Sequence, residues 1–349
     1  MKGNLYIGAA QPAKGPNSRG IYRRKESQDG WERLTNGLPD DLQVNALVAR
    51  RDDPRSLYLG AQCGLFHSAD GGDSWTGCGL DVGEKDIYSI LLHPTDPATI
   101  YVGLDHAAIA KSVDGGKSWR YLPSIQPEGA IDGCFPVRVL RMALNPANPD
   151  ELYAAMEVGG IIRSLDGGES WTDMSAPLIA LSKESHLKSK ILSDNEAEGM
   201  MDLHALVVSA GKPSTVWIAN RMGLFTSDDQ GKHWREFGIR RFSDLSYGRD
   251  IKVSPHDPKV FYAALSQSAR GTAGSLCRSE DAGQTWKRID HGYSVDSTAM
   301  TLSVSGQDPD RICFAARLGQ VFGTEDGGKT WEAMPLPEGV TDVRAVACA

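Results

Sequence analysis

One eight-residue pattern recurs six times along this chain of 349 residues. Each copy begins with Ser or Thr, has Asp at its third position and Gly at its fifth, and ends on Trp. A motif that repeats at blade-length spacing constrains the fold of the whole chain before any single element is assigned. The copies are Ser68–Trp75, Ser112–Trp119, Ser164–Trp171, Ser227–Trp234, Ser279–Trp286 and Thr324–Trp331.

The chemistry of this octet is that of a β-hairpin turn. Its Asp can accept hydrogen bonds from amides of its own turn, its Gly supplies a positive φ, and its Trp buries a large ring under the next element. The octet resembles the Asp-box, or BNR repeat, of sialidases, sortilin-type receptors and some xyloglucan-degrading enzymes. That resemblance implies a β-propeller. It says little about function, because the Asp-box of those families lies away from the catalytic face.

The number of blades follows from the spacing of the octets. Their Trp residues are 44 to 63 residues apart, and Trp31 ends a degenerate copy 44 residues before Trp75. The last run, Val343–Cys348, resembles a first strand that lacks its three partners, and the N-terminus supplies three matching runs. They are Leu5–Ala9, Gly20–Arg23 and Trp31–Leu34. The sequence therefore predicts an all-β fold, a seven-bladed β-propeller over residues 1–349 as one domain, with a composite last blade closed by both termini.

Charge and hydropathy exclude some partners. The formal net charge is −8, which argues against nucleic-acid binding. The start, Met1–Leu5, lacks the apolar core of a signal peptide, and no run is apolar enough to span a membrane. We expect a cytoplasmic protein that contacts no membrane, with a secreted mature form as the alternative.

The cysteine pattern favours free thiols over a disulfide framework. No two of the six cysteines have CxxC spacing, and three fall on predicted strands, where a thiol usually packs as a small apolar group. The six are Cys63, Cys78, Cys134, Cys277, Cys313 and Cys348.

Variation in loop length points to one face of the propeller. The octets and the Pro-containing turns share a face and hardly vary, whereas the extensions fall on the opposite face, around the predicted channel mouth. Such loops commonly carry binding residues on a rigid scaffold. The extensions are Ser124–Pro136, Ala176–Met201 and Ser266–Ser275. For the part 183–198, the alternative is a solvated surface loop or short helix.

Polar residues at the starts of the first strands and in the second-to-third connections would line that mouth. The catalytic candidates are Asp86, Tyr88, Glu157, Asp202 and His204, and the ligand-binding candidates are Asp105, His106, Arg138, Arg221, Arg249, Arg317 and Arg344. Carboxylates on neighbouring blades could form a general acid/base pair. His204 beside Tyr88 could abstract a proton. The alternative is a purely structural role, in which these charged residues pair between adjacent blades and stabilise the ring.

No cofactor is predicted, because the linear sequence has no metal-binding motif. A divalent metal held by His106, His204 and a carboxylate is kept as an alternative.

The arginines favour an acidic small molecule or oligosaccharide as ligand. Sialidases have six blades and an Arg-Ile-Pro motif, which Ile21–Arg24 lacks. The residue types are similar to those of seven-bladed polysaccharide lyases, which use His, Tyr and Arg. We therefore expect a carbohydrate-active enzyme, a hydrolase or lyase on an anionic saccharide. The alternative is a non-catalytic binding or assembly propeller, as in sortilin-type and photosystem-assembly relatives. The sequence leaves the oligomeric state open.

Overall fold

Seven four-stranded sheets form the described part of the chain, and the architecture is the expected all-β seven-bladed β-propeller. The computed structural model describes residues 3–12, 18–26, 28–123, 125–127, 129–131 and 135–349. Blades are numbered from the first complete one, and the composite blade is the seventh.

The strands follow the chain order. They are β1 (Leu5–Pro12), β2 (Gly20–Arg24) and β3 (Glu32–Leu34) of the composite blade; β4 (Val44–Ala49), β5 (Leu57–Ala61), β6 (Gly64–Ser68) and β7 (Thr76–Gly77) of blade 1; β8 (Ile87–Leu92), β9 (Ile100–Leu104), β10 (Ile109–Ser112) and β11 (Arg120–Tyr121) of blade 2; β12 (Arg138–Asn145), β13 (Asn148–Glu157), β14 (Gly160–Ser164) and β15 (Thr172–Asp173) of blade 3; β16 (Leu203–Ser209), β17 (Lys212–Asn220), β18 (Gly223–Ser227) and β19 (Arg235–Glu236) of blade 4; β20 (Tyr247–Val253), β21 (Phe261–Ser266), β22 (Gly274–Ser279) and β23 (Lys287–Arg288) of blade 5; β24 (Ala299–Val304), β25 (Ile312–Ala316), β26 (Val321–Thr324) and β27 (Glu332–Ala333) of blade 6; and β28 (Val340–Cys348) of the composite blade.

The composite blade forms as the sequence predicts. Its strand order is β28-β1-β2-β3, and β28 pairs antiparallel with β1, with Leu5 opposite Cys348 and Ile7 opposite Val346. The C-terminal strand therefore covers the edge of β1 that the N-terminal hairpin leaves free.

The chain divides into two compact units, residues Met1–Ile87 with Ser254–Ala349 (unit 1) and Tyr88–Val253 (unit 2). The core of unit 1 includes the buried rings of Phe314, Phe322 and Trp331. The core of unit 2 includes Tyr153 and Phe225, both without exposed surface. In each unit, apolar side chains of neighbouring sheets pack against one another. The Trp rings of octets, such as Trp234 and Trp331, belong to these cores.

The octets form the predicted turns through their side chains. In the first copy the Ser68 hydroxyl donates to Asp70 Oδ1 at 2.8 Å and accepts the Gly72 N–H at 2.8 Å, while Asp70 accepts the Ser74 N–H at 2.9 Å and its hydroxyl at 2.6 Å. Gly72 has φ +88°. The other five copies repeat this set, with the His233 ring in place of the last hydroxyl in one. The octets are thus self-contained structural turns.

Most residues of the part 183–198 are exposed, as the alternative of a surface loop or short helix predicts, while buried residues anchor the extension at 176–201 as a whole. It forms α1 (Ala176–Leu181), a 3-10 turn (Ser185–Leu187) and α2 (Glu198–Met201). Leu178, Leu187 and Met200 belong to the same apolar core as Phe225. The buried Glu198 carboxylate accepts N–H groups of Ile191 and Leu192, which fixes the segment. None of the helices in the described ranges is long and apolar enough to cross a membrane.

The free-thiol expectation is wrong for two cysteines. Cys313 on β25 and Cys348 on β28 form a disulfide, with their Cα atoms 6.8 Å apart. The two strands belong to consecutive blades, so residues 35 positions apart in sequence become neighbours in space. Cys63, Cys78 and Cys277 form no disulfide, and Cys134 lies outside the described residues.

Candidate functional site

A β-bulge recurs near the start of the first strand in five blades. One residue of each strand has no partner in the register, and bulges of this kind re-aim side chains at the rims of sheets. The bulged residues are Asn45, Leu140, His204, Met300 and Arg344. Three of them are polar, and two of these, His204 and Arg344, are candidate site residues. The side chains of these bulged residues therefore depart from the regular alternation of the strand.

Three residues of unit 2 contact Arg138, at the start of β12. Arg138 lies opposite Glu157 in the register, and its Nη1 donates to the Glu157 carboxylate at 2.8 Å. Its guanidinium also lies 5.0 Å from the ring centroid of Tyr88 and 4.3 Å from that of Phe135. Burial would lower the pKa of Arg138, but Glu157, Tyr88 and Asp105 outweigh it and raise that pKa. The charge of Arg138 is therefore fixed.

A second group in unit 2 is centred on the buried His204 ring. Its Nδ1 lies 2.7 Å from the Gly248 carbonyl oxygen, and its Nε2 lies 3.1 Å from the Tyr247 hydroxyl and 3.4 Å from Asp202 Oδ2. Because a carbonyl can only accept, Nδ1 carries the proton, and Nε2 faces Tyr247 and Asp202. The tyrosine hydroxyl at His204 is that of Tyr247, which the sequence did not predict, and Tyr88 lies against Arg138.

Ionisation in this second group is set by burial and by charge. Burial alone would raise the pKa of Asp202, but His204, Arg249 and Arg221 hold it below its usual value. Burial raises the pKa of Tyr247 to about 12. Arg221 Nη1 lies 3.9 Å from Asp202. At neutral pH the carboxylate is therefore charged and the phenol is protonated.

Arg249 connects the two groups electrostatically. Burial would lower its pKa, but Tyr247, Glu157, Asp202 and Asp250 together raise it. Glu157 belongs to the Arg138 group and Asp202 to the His204 group. Among the candidates, Tyr88, Arg138 and Glu157 are thus linked through Arg249 to Asp202, His204 and Arg221 within unit 2.

The residues of the alternative metal site do not come together. His106 Nδ1 pairs with the buried Asp105 carboxylate at 2.9 Å, and His106 is exposed with φ +57°. His204 has the separate partners given above. Within the described ranges, no three or more His, Cys, Asp or Glu side chains are grouped to hold a metal ion.

Three candidates lie in unit 1. Arg344 pairs with Asp342 through its Nη2 at 3.0 Å and donates from Nη1 to Asn45 Oδ1 at 2.8 Å. Asp86 accepts a hydrogen bond from Gln43 at 3.3 Å. The Nε of Arg317 is buried without a hydrogen-bond partner among the described residues. In unit 1, Arg344 and Asp86 therefore each have a hydrogen-bond partner outside their own blade, and that partner is a neutral amide.

Sequence reasoning missed Phe135, Tyr247 and Lys252. Tyr247 lies two residues before Arg249 on β20, so the two-residue period of a strand could have flagged it as sharing the face of Arg249. Nothing local to Phe135 indicates its contact with Arg138. Lys252 is partly exposed and lies 3.6 Å from Asp250.

No protein-family model matches the chain. A probable oligoxyloglucan-reducing end-specific xyloglucanase of Neosartorya fischeri is 24% identical over 342 residues, covering 89% of this chain and 37% of the relative. The chain spans about a fifth to little more than a third of the length of the xyloglucanases it matches.

Solved structures share the fold at low identity. An ancestral GH74 enzyme has a TM-score of 0.61 at 18% identity, covering 88% of this chain and 40% of that one. Ycf48 bound to D1 peptide has a TM-score of 0.60 at 16% identity, covering 97% of this chain and 91% of that one. These likenesses support the seven-bladed propeller fold.

Proposed function

We propose that this chain is a carbohydrate-active propeller that binds an anionic saccharide through cationic side chains of unit 2. One observation carries the proposal: five cationic side chains are partly exposed, and four of them contact a carboxylate that is more buried. The cations are Arg138, Arg141, Arg221, Arg249 and Lys252, and the carboxylates are Glu157, Asp202 and Asp250. Guanidinium groups held this way suit carboxylate or sulfate groups of a sugar. The xyloglucanase relatives support a saccharide as the ligand class.

The second candidate is cleavage by elimination, which the Tyr247–His204 hydrogen bond favours over hydrolysis. A glycosidase acid needs a raised pKa, whereas the pKa of Asp202 is lowered and Glu157 is paired with Arg138. In an elimination, Tyr247 would pass its proton to His204 Nε2 and take the proton next to the sugar carboxylate. The C–O bond to the leaving sugar then breaks, a C=C bond forms, and the leaving oxygen takes the proton from His204 Nε2, so that both side chains return to their starting states.

A protein segment is the alternative ligand. Ycf48 has been solved with a D1 peptide and matches nearly the whole of both chains. In that case the cationic side chains of unit 2 would bind an acidic peptide without turnover.

Calorimetric titration separates these cases. We expect a galacturonate oligomer to bind the protein, and Arg221→Ala to weaken it by about tenfold, the loss of one charge-assisted hydrogen bond. Arg240→Ala, which removes an exposed charge of the same unit, serves as the matched control and should bind normally. Equal binding of a neutral oligosaccharide, or binding of acidic peptides alone, would refute the saccharide proposal.

Turnover is followed by the ultraviolet absorbance of the new C=C bond. Tyr247→Phe keeps the ring and removes the hydroxyl, so it should leave binding intact and abolish the absorbance change. Full activity in Tyr247→Phe would rule out the elimination mechanism.

A further inference from the structure

Two cations of unit 2 share one buried carboxylate. Arg141 on β12 lies with its Nη2 3.3 Å from Asp250 Oδ1, and Lys252 Nζ lies 3.6 Å from the same oxygen. Asp250 has no exposed surface, and its Oδ1 also accepts the Ile251 N–H at 3.0 Å. Blades 3 and 5 thus both contribute to this group, which we call the Arg141–Lys252 pair.

This arrangement leaves donors without strong partners. A Lys ammonium has three N–H donors and an Arg guanidinium five, while the contacts to Asp250 are long for charged hydrogen bonds. The Nε of Arg141 is buried and has no hydrogen-bond partner among the described residues. Both side chains are about one-third exposed. Two cations on one carboxylate leave positive charge that faces solvent.

We propose that the Arg141–Lys252 pair binds one oxyanion, a carboxylate or sulfate, of the saccharide ligand. This deepens the proposed function and rests on it for the saccharide: the ligand carries acid groups at more than one position, one at this pair and another at Arg221 and Arg249. Arg141 offers a planar fork for two oxygens of the anion, and Lys252 adds a point charge. The buried Asp250 carboxylate orients both side chains.

The pair also predicts a pH dependence. Burial and the charge of Arg141 lower the pKa of Lys252 to about 8, against the opposite effect of Asp250. Lys252 is therefore charged below that pH and neutral above it, so anion affinity should fall as pH rises through about 8. A bound anion should in turn raise the pKa of Lys252, so that binding near pH 8 takes up protons.

The test uses inorganic sulfate and the full chain. The pKa of Lys252 is measured from its side-chain NMR signal, with and without sulfate. We expect sulfate to raise it, and we expect Lys252→Gln and Arg141→Gln each to weaken sulfate binding about tenfold. Lys232→Gln removes an exposed charge of the same unit and should change nothing. An unshifted Lys252 signal, or equal weakening in Lys232→Gln, would overturn the inference.

Sulfate also separates this inference from the proposed function, because it needs no sugar. Sulfate binding at the pair without binding of any acidic saccharide would leave the anion subsite standing and remove the saccharide proposal. Saccharide binding that is insensitive to Arg141→Gln and Lys252→Gln would support the saccharide proposal and remove the anion subsite. Thermal unfolding of each variant shows that the fold is kept.

Discussion

At the scale of single residues, buried carboxylates support exposed cations. Asp202 and Asp250 are buried, whereas Arg221 and Arg141, which they hold, reach solvent. Charged pairs of this kind are weak evidence for stability, because desolvation offsets attraction. Their value here is orientation: a guanidinium fixed by a buried carboxylate loses little entropy when it binds an anion.

Loss of one such carboxylate should destabilise the protein. Asp202→Asn leaves His204, Arg221 and Arg249 without their anion, and we expect a loss of about 2 kcal/mol in the free energy of unfolding. Asp194→Asn breaks a solvent-exposed ion pair with Lys190 and should cost less than about 0.5 kcal/mol. Urea unfolding compares the two, and equal costs would show that Asp202 is not a buried ionic anchor.

At the scale of elements, the sequence predicts the contacts that form within a few consecutive residues or between directly paired strands. The octet turn is made within eight residues, so Asp70 and Gly72 could be assigned from their spacing, and the Arg138–Glu157 pair follows from strand register. Pairings between separate blades have no local signal: Arg141 meets Asp250 across 109 positions, and Tyr247, not Tyr88, meets His204. The Cys313–Cys348 disulfide is of the same kind.

The loop after β3 lies so close to an octet that one of its glycines should not tolerate a larger residue. Gly37 has φ +81°, and a Cβ there would overlap the backbone carbonyl of Trp75, whose N–H donates to Asn36. Gly37→Ala should cost about 3 kcal/mol, from the strained φ and the clash. Gly79 has φ +67° and open space, so Gly79→Ala should cost about 1 kcal/mol. Thermal unfolding distinguishes them, and similar midpoints would contradict the close approach.

At the scale of the whole molecule, the repeated octets add up the pKa lowering of one Asp per octet. Each octet places an Asp under several hydrogen bonds, and these lower the pKa of Asp70, Asp114 and Asp166 to about 2. The pKa of Asp229 is lowered mainly by the hydrogen bond from the His233 ring, and those of Asp281 and Asp326 by the same hydroxyl and amide donors, against burial in Asp281. The same closed turn thus stabilises every complete blade and couples the whole fold to pH.

That coupling predicts acid sensitivity. A carboxylate with a lowered pKa in the folded state stabilises it above the unfolded pKa, near 4, and this contribution is lost as pH falls towards 2. The free energy of unfolding should therefore drop between pH 4 and pH 2. Replacing Asp70, Asp114 and Asp166 by Asn should flatten that slope. A slope unchanged by the three substitutions would show that other carboxylates control it.

The central claim is that the cationic side chains of unit 2 bind an acidic saccharide. The most direct measurement is a crystal structure with a galacturonate oligomer. We predict sugar carboxylates within hydrogen-bond distance of Arg221 or Arg249, with a further acid group at Arg141 and Lys252. An oligomer bound elsewhere, or with its hydroxyl groups and no carboxylate towards these side chains, would contradict the account.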